Sequence, residues 1–232
     1  MSSLSWRSQF ESRRSLSSDK WNHYLDIYDH VLGSFYGKQV NFLEVGVQGG
    51  GSLEIARSLF APESWIGGVD IDPRCAQYEG QVANKIFIGS QVSPEVIAGI
   101  KGLNKQFDII IDDGSHVQLH MVSTFVYLFD CLAEGGVYII EDTHTNYSPE
   151  HQKSFFGIGL YDYFKGLVER MNIDFMDAGR RSNRFKLPYE QRPLEPRPDP
   201  ESLIHKIFSI EFYNSMIVIR KKTSREPLRL RR

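Results

Sequence analysis

Apolar residues along this chain follow two alternating periods. Across residues 19–35, Trp21, Tyr24, Leu25, Ile27, Tyr28, Val31 and Leu32 recur at three- and four-residue steps, the spacing of one helical face. Residues 40–45 then read as a short buried strand, followed at once by Gly46, Gly49, Gly50 and Gly51 and by a helical stretch over 52–60. The alternation continues with strand 64–71, a helix around 74–83, strand 85–88, helix 93–103, strand 107–111, helix 118–132 and strand 136–140. Short apolar strands separated by helices predict an α/β fold, a doubly wound and mostly parallel sheet covered on both faces. Residues 146–172 read as one long helical region with Phe155, Phe156, Tyr161, Tyr163, Phe164 and Leu167 on its apolar side. The β-prone runs 206–212 and 216–221, joined by Tyr213, Asn214 and Ser215, predict a C-terminal antiparallel hairpin at the sheet edge, with both chain ends outside the core.

Segments without either period bound the domain. Residues 1–17 are rich in Ser and Arg and predict a mobile arm, and 223–232 a mobile tail, leaving 18–222 as a single domain. Residues 177–200 carry five prolines, the composition of a loop, and 179–200 are a candidate lid.

Charge and composition narrow the classes. Lys and Arg number 27 against 29 Asp and Glu, and the net charge of -2 gives no electrostatic reason for a nucleic acid or anionic membrane partner. Cys75 and Cys131 show no paired spacing, which argues against a disulfide framework or a zinc site. No apolar run reaches the roughly 18 to 20 residues of a membrane span. A reducing cytoplasm is the expected setting.

Chemistry concentrates where strands end. Leu43-Glu44-Val45-Gly46-Val47-Gln48-Gly49-Gly50-Gly51-Ser52 places glycines at a strand-to-helix turn, where a missing Cβ lets a ligand reach the backbone. A dinucleotide fingerprint separates its first two glycines by one residue, whereas Gly46 and Gly49 are separated by two. Glu44 would repel a pyrophosphate but attract a cationic amino group. The next strand ends in Val69-Asp70-Ile71-Asp72, at the distance where an acidic residue accepts hydrogen bonds from ribose; Asp70 is the first candidate and Asp72 the second. The competing explanation is a tight turn followed by helix-capping carboxylates. The segment from Glu44 to Ser52, with Asp70, resembles the first two motifs of class I S-adenosylmethionine-dependent methyltransferases. The resemblance implies a Rossmann-like fold in which Glu44, Gly46, Gly49 and Ser52 surround the methionine portion of the cofactor. Asp70 would hold its ribose, and Gly89-Ser90-Gln91 would border its adenine. Asp112 is also assigned to the cofactor side.

Two further strands end in Asp112-Asp113-Gly114-Ser115-His116 and Glu141-Asp142-Thr143-His144. Four carboxylates delivered to one edge repel one another unless a cation sits among them, and hard oxygen donors without thiolates favour magnesium, manganese or calcium over zinc. From Asp19-Lys20-Trp21 through these pairs to the run from Phe208 to Met216, the chain resembles the sugar O-methyltransferases that act on macrolide antibiotics and the related cephalosporin hydroxylase-like proteins. That resemblance implies that Asp113, Glu141 and Asp142 bind a divalent metal, most readily Mg2+, and that His116 is the general base. Histidine suits the role because its ordinary pKa lies nearest neutrality.

The expected activity is transfer of the methyl group of S-adenosylmethionine to a hydroxyl of a sugar or glycosylated natural product. The acceptor would be a small glycoside or polyol, and the assembly a homo-oligomer. A catechol-type O-methyltransferase and a cephalosporin hydroxylase-like protein are the alternatives on the same fold. A non-catalytic nucleoside-binding module and a nicotinamide-dependent dehydrogenase are the readings from other classes. His144 would orient the acceptor, while His23 and His120 read as packing or surface residues.

Overall fold

The computed structural model describes residues 4–12, 15–172 and 203–223. The expected loop at 177–200 and the tail after 223 lie outside them. Among the described residues seven strands form one sheet: β1 (Asn41–Val45), β2 (Trp65–Asp70), β3 (Lys85–Ile88), β4 (Phe107–Asp112), β5 (Leu132–Ile140), β6 (Ile207–Tyr213) and β7 (Met216–Lys221). Their order is β3-β2-β1-β4-β5-β7-β6. The first five run parallel, and β7 is antiparallel to both β5 and β6.

Alternation within the strands divides the core into two. Phe42, Ile109, Ile111, Val137, Ile139 and Val218 face one layer, and Leu43, Ile110, Tyr138, Ile140, Ile217 and Ile219 the other. The first layer is closed by α1 (Trp6–Glu11), α2 (Asn22–Leu32) and α3 (Gly51–Leu59), the second by α4 (Pro94–Gly102), α5 (Gln118–Leu128) and α6 (Leu160–Arg170). A one-turn helix, α7 (Leu203–Lys206), leads into β6. Burial on both faces is why β1, β4 and β5 read as continuous apolar runs rather than as alternating strands. No helix among the described residues is long and apolar enough to cross a membrane.

Three expectations are corrected. The expected helix at 74–83 is a 3-10 helix, Pro73–Tyr78, started by the Asp72 side chain on the Arg74 amide and ended before Gly80, whose φ is +80°. The long helix expected over 146–172 is confined to α6. Pro149 lacks the amide a helix needs, and short 3-10 helices at Thr143–Tyr147 and Pro149–His151 take its place; Gly157 adopts φ +82° and Phe156, at φ +51°, is exposed.

The third correction concerns the ends. Within 1–17, Trp6–Glu11 is a helix with a Ser5–Ser8 capping box, and Trp6 is fully buried 4.7 Å from Tyr28 and 6.5 Å from Phe42. Asp29 accepts the Trp6 amide at 2.5 Å, and Asp26 takes the Arg7 guanidinium at 2.8 Å. The C-terminal antiparallel hairpin lies at the sheet edge as expected, with β6 outermost, while Met216 through Ile219 of β7 are fully buried in the core.

Strand order reverses between β1 and β4, so the loops after these two strands part at their carboxyl ends. In open α/β sheets ligands bind in that crevice.

Candidate active site

At the crevice lies a cavity of about 620 Å³ whose lining includes Lys20, Trp21, Gly46, Ser52, Asp70, Asp113, His116, Glu141, Asp142 and His144. The β1 turn forms its floor. Gly46 adopts φ +93°, and a Cβ there would stand 2.0 Å from the Asp113 carbonyl oxygen, so the two loops of the crevice approach as closely as they do only over a glycine. The glycines that follow meet the protein's own chain. A Cβ on Gly49 would fall 2.1 Å from Ser17 Oγ and one on Gly51 2.5 Å from the Ser17 carbonyl oxygen, which accepts the Gly51 amide at 3.0 Å. Ser18 Oγ lies 3.2 Å from Ser52 Oγ, and Glu54 holds Ser15 and Leu16. Residues 15–20 are thereby strapped across the glycine turn and lead into the cavity.

Asp70 staples the same turn: its Oδ2 accepts the amides of Val47 at 2.9 Å and Gln48 at 2.8 Å, and its Oδ1 that of Asp72 at 2.8 Å. With two amides on Oδ2 and one on Oδ1, it is Oδ1 that retains acceptor capacity. Asp72 is engaged with Arg74 at 2.5 Å.

At the other end, acidic groups gather around one ammonium. Lys20 Nζ donates to Asp113 Oδ2 at 2.5 Å and to Glu141 Oε2 and Oε1 at 2.9 and 3.1 Å, with its side chain only 3% exposed. Tyr28 donates its hydroxyl to Glu141 Oε1. Asp142 accepts from Tyr24 Oη at 2.8 Å, and its Oδ2 lies 3.8 Å from His116 Nε2. Ligand atoms of Asp113, His116 and Asp142 all lie within 4.8 Å of one another, as a bound cation requires. His116 and Asp142 stand at φ +56° and +51°, a conformation that side chains with a Cβ seldom adopt and that clusters at functional sites.

One ammonium does not neutralise so many carboxyls. Burial pushes Glu44 up to about 8, with Lys20 opposing and Asp113 and Glu141 adding to the rise. Burial likewise raises Glu141, and Asp113 adds to it. For Lys20, burial favours the neutral amine but is outweighed by Glu141, Tyr28, Asp113 and Glu44, so its pKa is raised well above the ordinary value. Glu44 lies beneath the floor, 1% exposed, with neither carboxyl oxygen hydrogen-bonded. The donor set of carboxylates and one imidazole fits a hard divalent cation, and the excess negative charge favours one.

No protein-family model matches the chain. It is 32% identical to L-olivosyl-oleandolide 3-O-methyltransferase of Streptomyces antibioticus over 68% of this chain and 44% of that protein. It is 36% identical to 8-demethyl-8-(2-methoxy-alpha-L-rhamnosyl)-tetracenomycin-C 3'-O-methyltransferase of Streptomyces olivaceus, over 57% of this chain and 36% of that protein. Among solved structures, MycE methyltransferase of the mycinamycin biosynthetic pathway, in complex with Mg, SAH and mycinamycin VI, superposes with a TM-score of 0.68 at 25% identity, over 95% of this chain and 54% of that one. The chain carries the class I methyltransferase fold and is related to these sugar O-methyltransferases. It spans less than half the length of the curated relatives it matches.

Of the positions expected from sequence, Gly46, Ser52, Asp70, Asp113, His116, Glu141 and Asp142 share the cavity, while Gly49 lines an adjoining one. The side chains of Ser90, Gln91 and Asp112 do not line the cavity. Gln91 donates to Asp112 Oδ1 at 2.9 Å and accepts the Ser115 amide at 2.8 Å, and Ser90 Oγ turns back on the Val92 amide. Gln91 and Asp112 brace the β4 loop that carries His116. Burial pushes Asp112 up to about 7, with Gln91 opposing.

Four side chains that the sequence does not mark as functional contribute to the site. Lys20 was noted only as part of a resemblance. Tyr24 and Tyr28 were read as core residues, yet their hydroxyls hold Asp142 and Glu141. Ser215, in the β6–β7 turn, contacts His144 Nδ1 through its Oγ at 2.6 Å and accepts the Thr143 amide at 3.1 Å, bringing the hairpin to the site. The four-residue step that places the two tyrosines on one face carries no mark of a polar end group. His23 is likewise tied to the hairpin, at Asn214 O.

Proposed function

We propose that this chain moves the S-methyl group of S-adenosylmethionine to a hydroxyl of a sugar or glycosylated natural product, in a site that holds a divalent cation. The observation that carries the reading is the convergence of Asp113, His116 and Asp142 in the same cavity as Gly46 and Asp70. The relatives named above act on glycosylated polyketides, which supports a glycoside as acceptor.

Asp113, Glu141 and Asp142 are the proposed holders of the cation, with His116 beside them. Bound there, it would supply Lewis acidity to an acceptor hydroxyl whose own pKa is too high for nucleophilic attack at neutral pH. His116 Nε2, the ring nitrogen facing Asp142, takes the hydroxyl proton, and Asp142 steadies the imidazolium so formed. The acceptor oxygen bonds to the methyl carbon as the carbon–sulfur bond breaks, and the sulfur keeps the electron pair as a thioether. Gly46 and Ser52 would face the methionine end of the cofactor and Asp70 its ribose. Assembly as a homo-oligomer is part of the same proposal.

Calorimetric titration is expected to show binding of S-adenosylhomocysteine and none of NAD. Methyl transfer from isotopically labelled cofactor to a rhamnoside or olivoside should fall to background in EDTA and return with Mg2+. Transfer that is indifferent to EDTA would contradict the metal assignment, and binding of NAD alone would contradict the cofactor.

A further inference from the structure

Lys20 introduces a second cation into a site already assigned to one. We infer that the Lys20 ammonium and a divalent ion compete for the carboxylate oxygens of Asp113 and Glu141, so that Lys20 sets how tightly the site holds a metal. The inference rests on the metal reading proposed above and deepens it.

An ammonium has three donors, and those of Lys20 meet three oxygens: Asp113 Oδ2 and both oxygens of Glu141. A divalent ion bound by the same oxygens would sit within roughly 2.0 to 2.6 Å of them. Two cations that close repel, and in a buried setting the repulsion is strong, so occupation is exclusive. Asp113 is the contested group, because it also belongs to the trio with His116 and Asp142. Asp142 lies outside the ammonium's bonds, held by Tyr24, and so offers an incoming ion a first foothold.

The backbone gives Lys20 the means to yield. Residues 15–18 are fastened to the β1 turn and α3 through Glu54, Gly51 and Ser52, and Trp21 is the N-cap of α2. Between these anchors only the flexible four-carbon stem of Lys20 has to rotate, and the residue lines the cavity into which it would swing. Lys20 is thus a positioning residue: it gathers two carboxyls that would otherwise repel, and its charge limits the affinity of the ion that displaces it.

Titration of the full chain with Mn2+, followed by electron paramagnetic resonance, tests this directly. Lys20→Met is expected to bind Mn2+ about 10- to 100-fold more tightly than the parent, the scale of one unit charge beside a partly shielded site. Lys20→Arg, which keeps the charge, should stay within about threefold. Equal or weaker binding by folded Lys20→Met would overturn the inference and leave the metal reading intact, whereas no Mn2+ binding by either protein would overturn both. Should Lys20→Met not fold, amine acylation of the parent read by mass spectrometry decides. Lys20 should react at least several-fold faster with Mn2+ than with EDTA, and an unchanged rate at saturating Mn2+ refutes the competition.

Discussion

Replacing Asp113 by alanine is expected to lower methyl-transfer turnover by about a thousandfold while changing the affinity for S-adenosylhomocysteine less than about fivefold. The turnover loss follows from position. Asp113 supplies a carboxylate to the trio with His116 and Asp142, and a cation acting as Lewis acid contributes several kcal/mol to stabilising a developing alkoxide. The small binding change follows from separation of labour. The Gly46 turn and Asp70 form the other end of the cavity, and Asp70 is held by the amides of Val47, Gln48 and Asp72 whatever stands at position 113. A loss confined to turnover marks an interaction used mainly in the transition state. Asp113→Asn, which preserves shape, should behave similarly and separates charge from packing. Turnover retained in both variants would refute the role.

Trp6→Ala is expected to cost about 3 to 5 kcal/mol in denaturant unfolding, the range for truncating a fully buried aromatic. Trp6 packs on Tyr28 and Phe42, so its removal opens a cavity beneath α2 and against β1. The same change reaches the site indirectly, because Tyr28 carries the hydroxyl that holds Glu141. A midpoint shift worth less than about 1 kcal/mol would mean that α1 is a detachable arm after all.

What the sequence disclosed, and what it withheld, divides by the range of the interactions. Strands β1, β2, β4 and β5 were legible because their runs are largely buried on both faces, and the carboxylate pairs at 112–113 and 141–142 because they close two of those runs. Helix periodicity located α2 and α5, but over 146–172 it could not discount Pro149 and Gly157, which break the helix locally. Trp6 was hidden because, with Phe10, it stands in a Ser- and Arg-rich segment in which nothing shows that Tyr28 waits for it. Lys20 was hidden for the same reason on a larger scale. Its partners lie 93 and 121 residues away, and a lysine next to an aspartate looks like any solvated surface pair. The glycines at 49 and 51 are visible in the sequence, but their approach to Ser17 of the same chain is not, because Ser17 lies more than thirty residues away.

The left-handed backbone at His116 sets heat resistance against chemistry. His116 also buries an Nδ1 that has no hydrogen-bond partner, so the fold bears both a contorted link and an unpaired polar atom there. Glycine at that position removes both burdens at a modest entropic cost, and His116→Gly should melt no lower than the parent, with a gain of up to about 1 kcal/mol. Such a variant would be sturdy and inert. Anyone selecting this protein for thermal endurance alone would therefore be drawn toward discarding the imidazole on which turnover is proposed to depend.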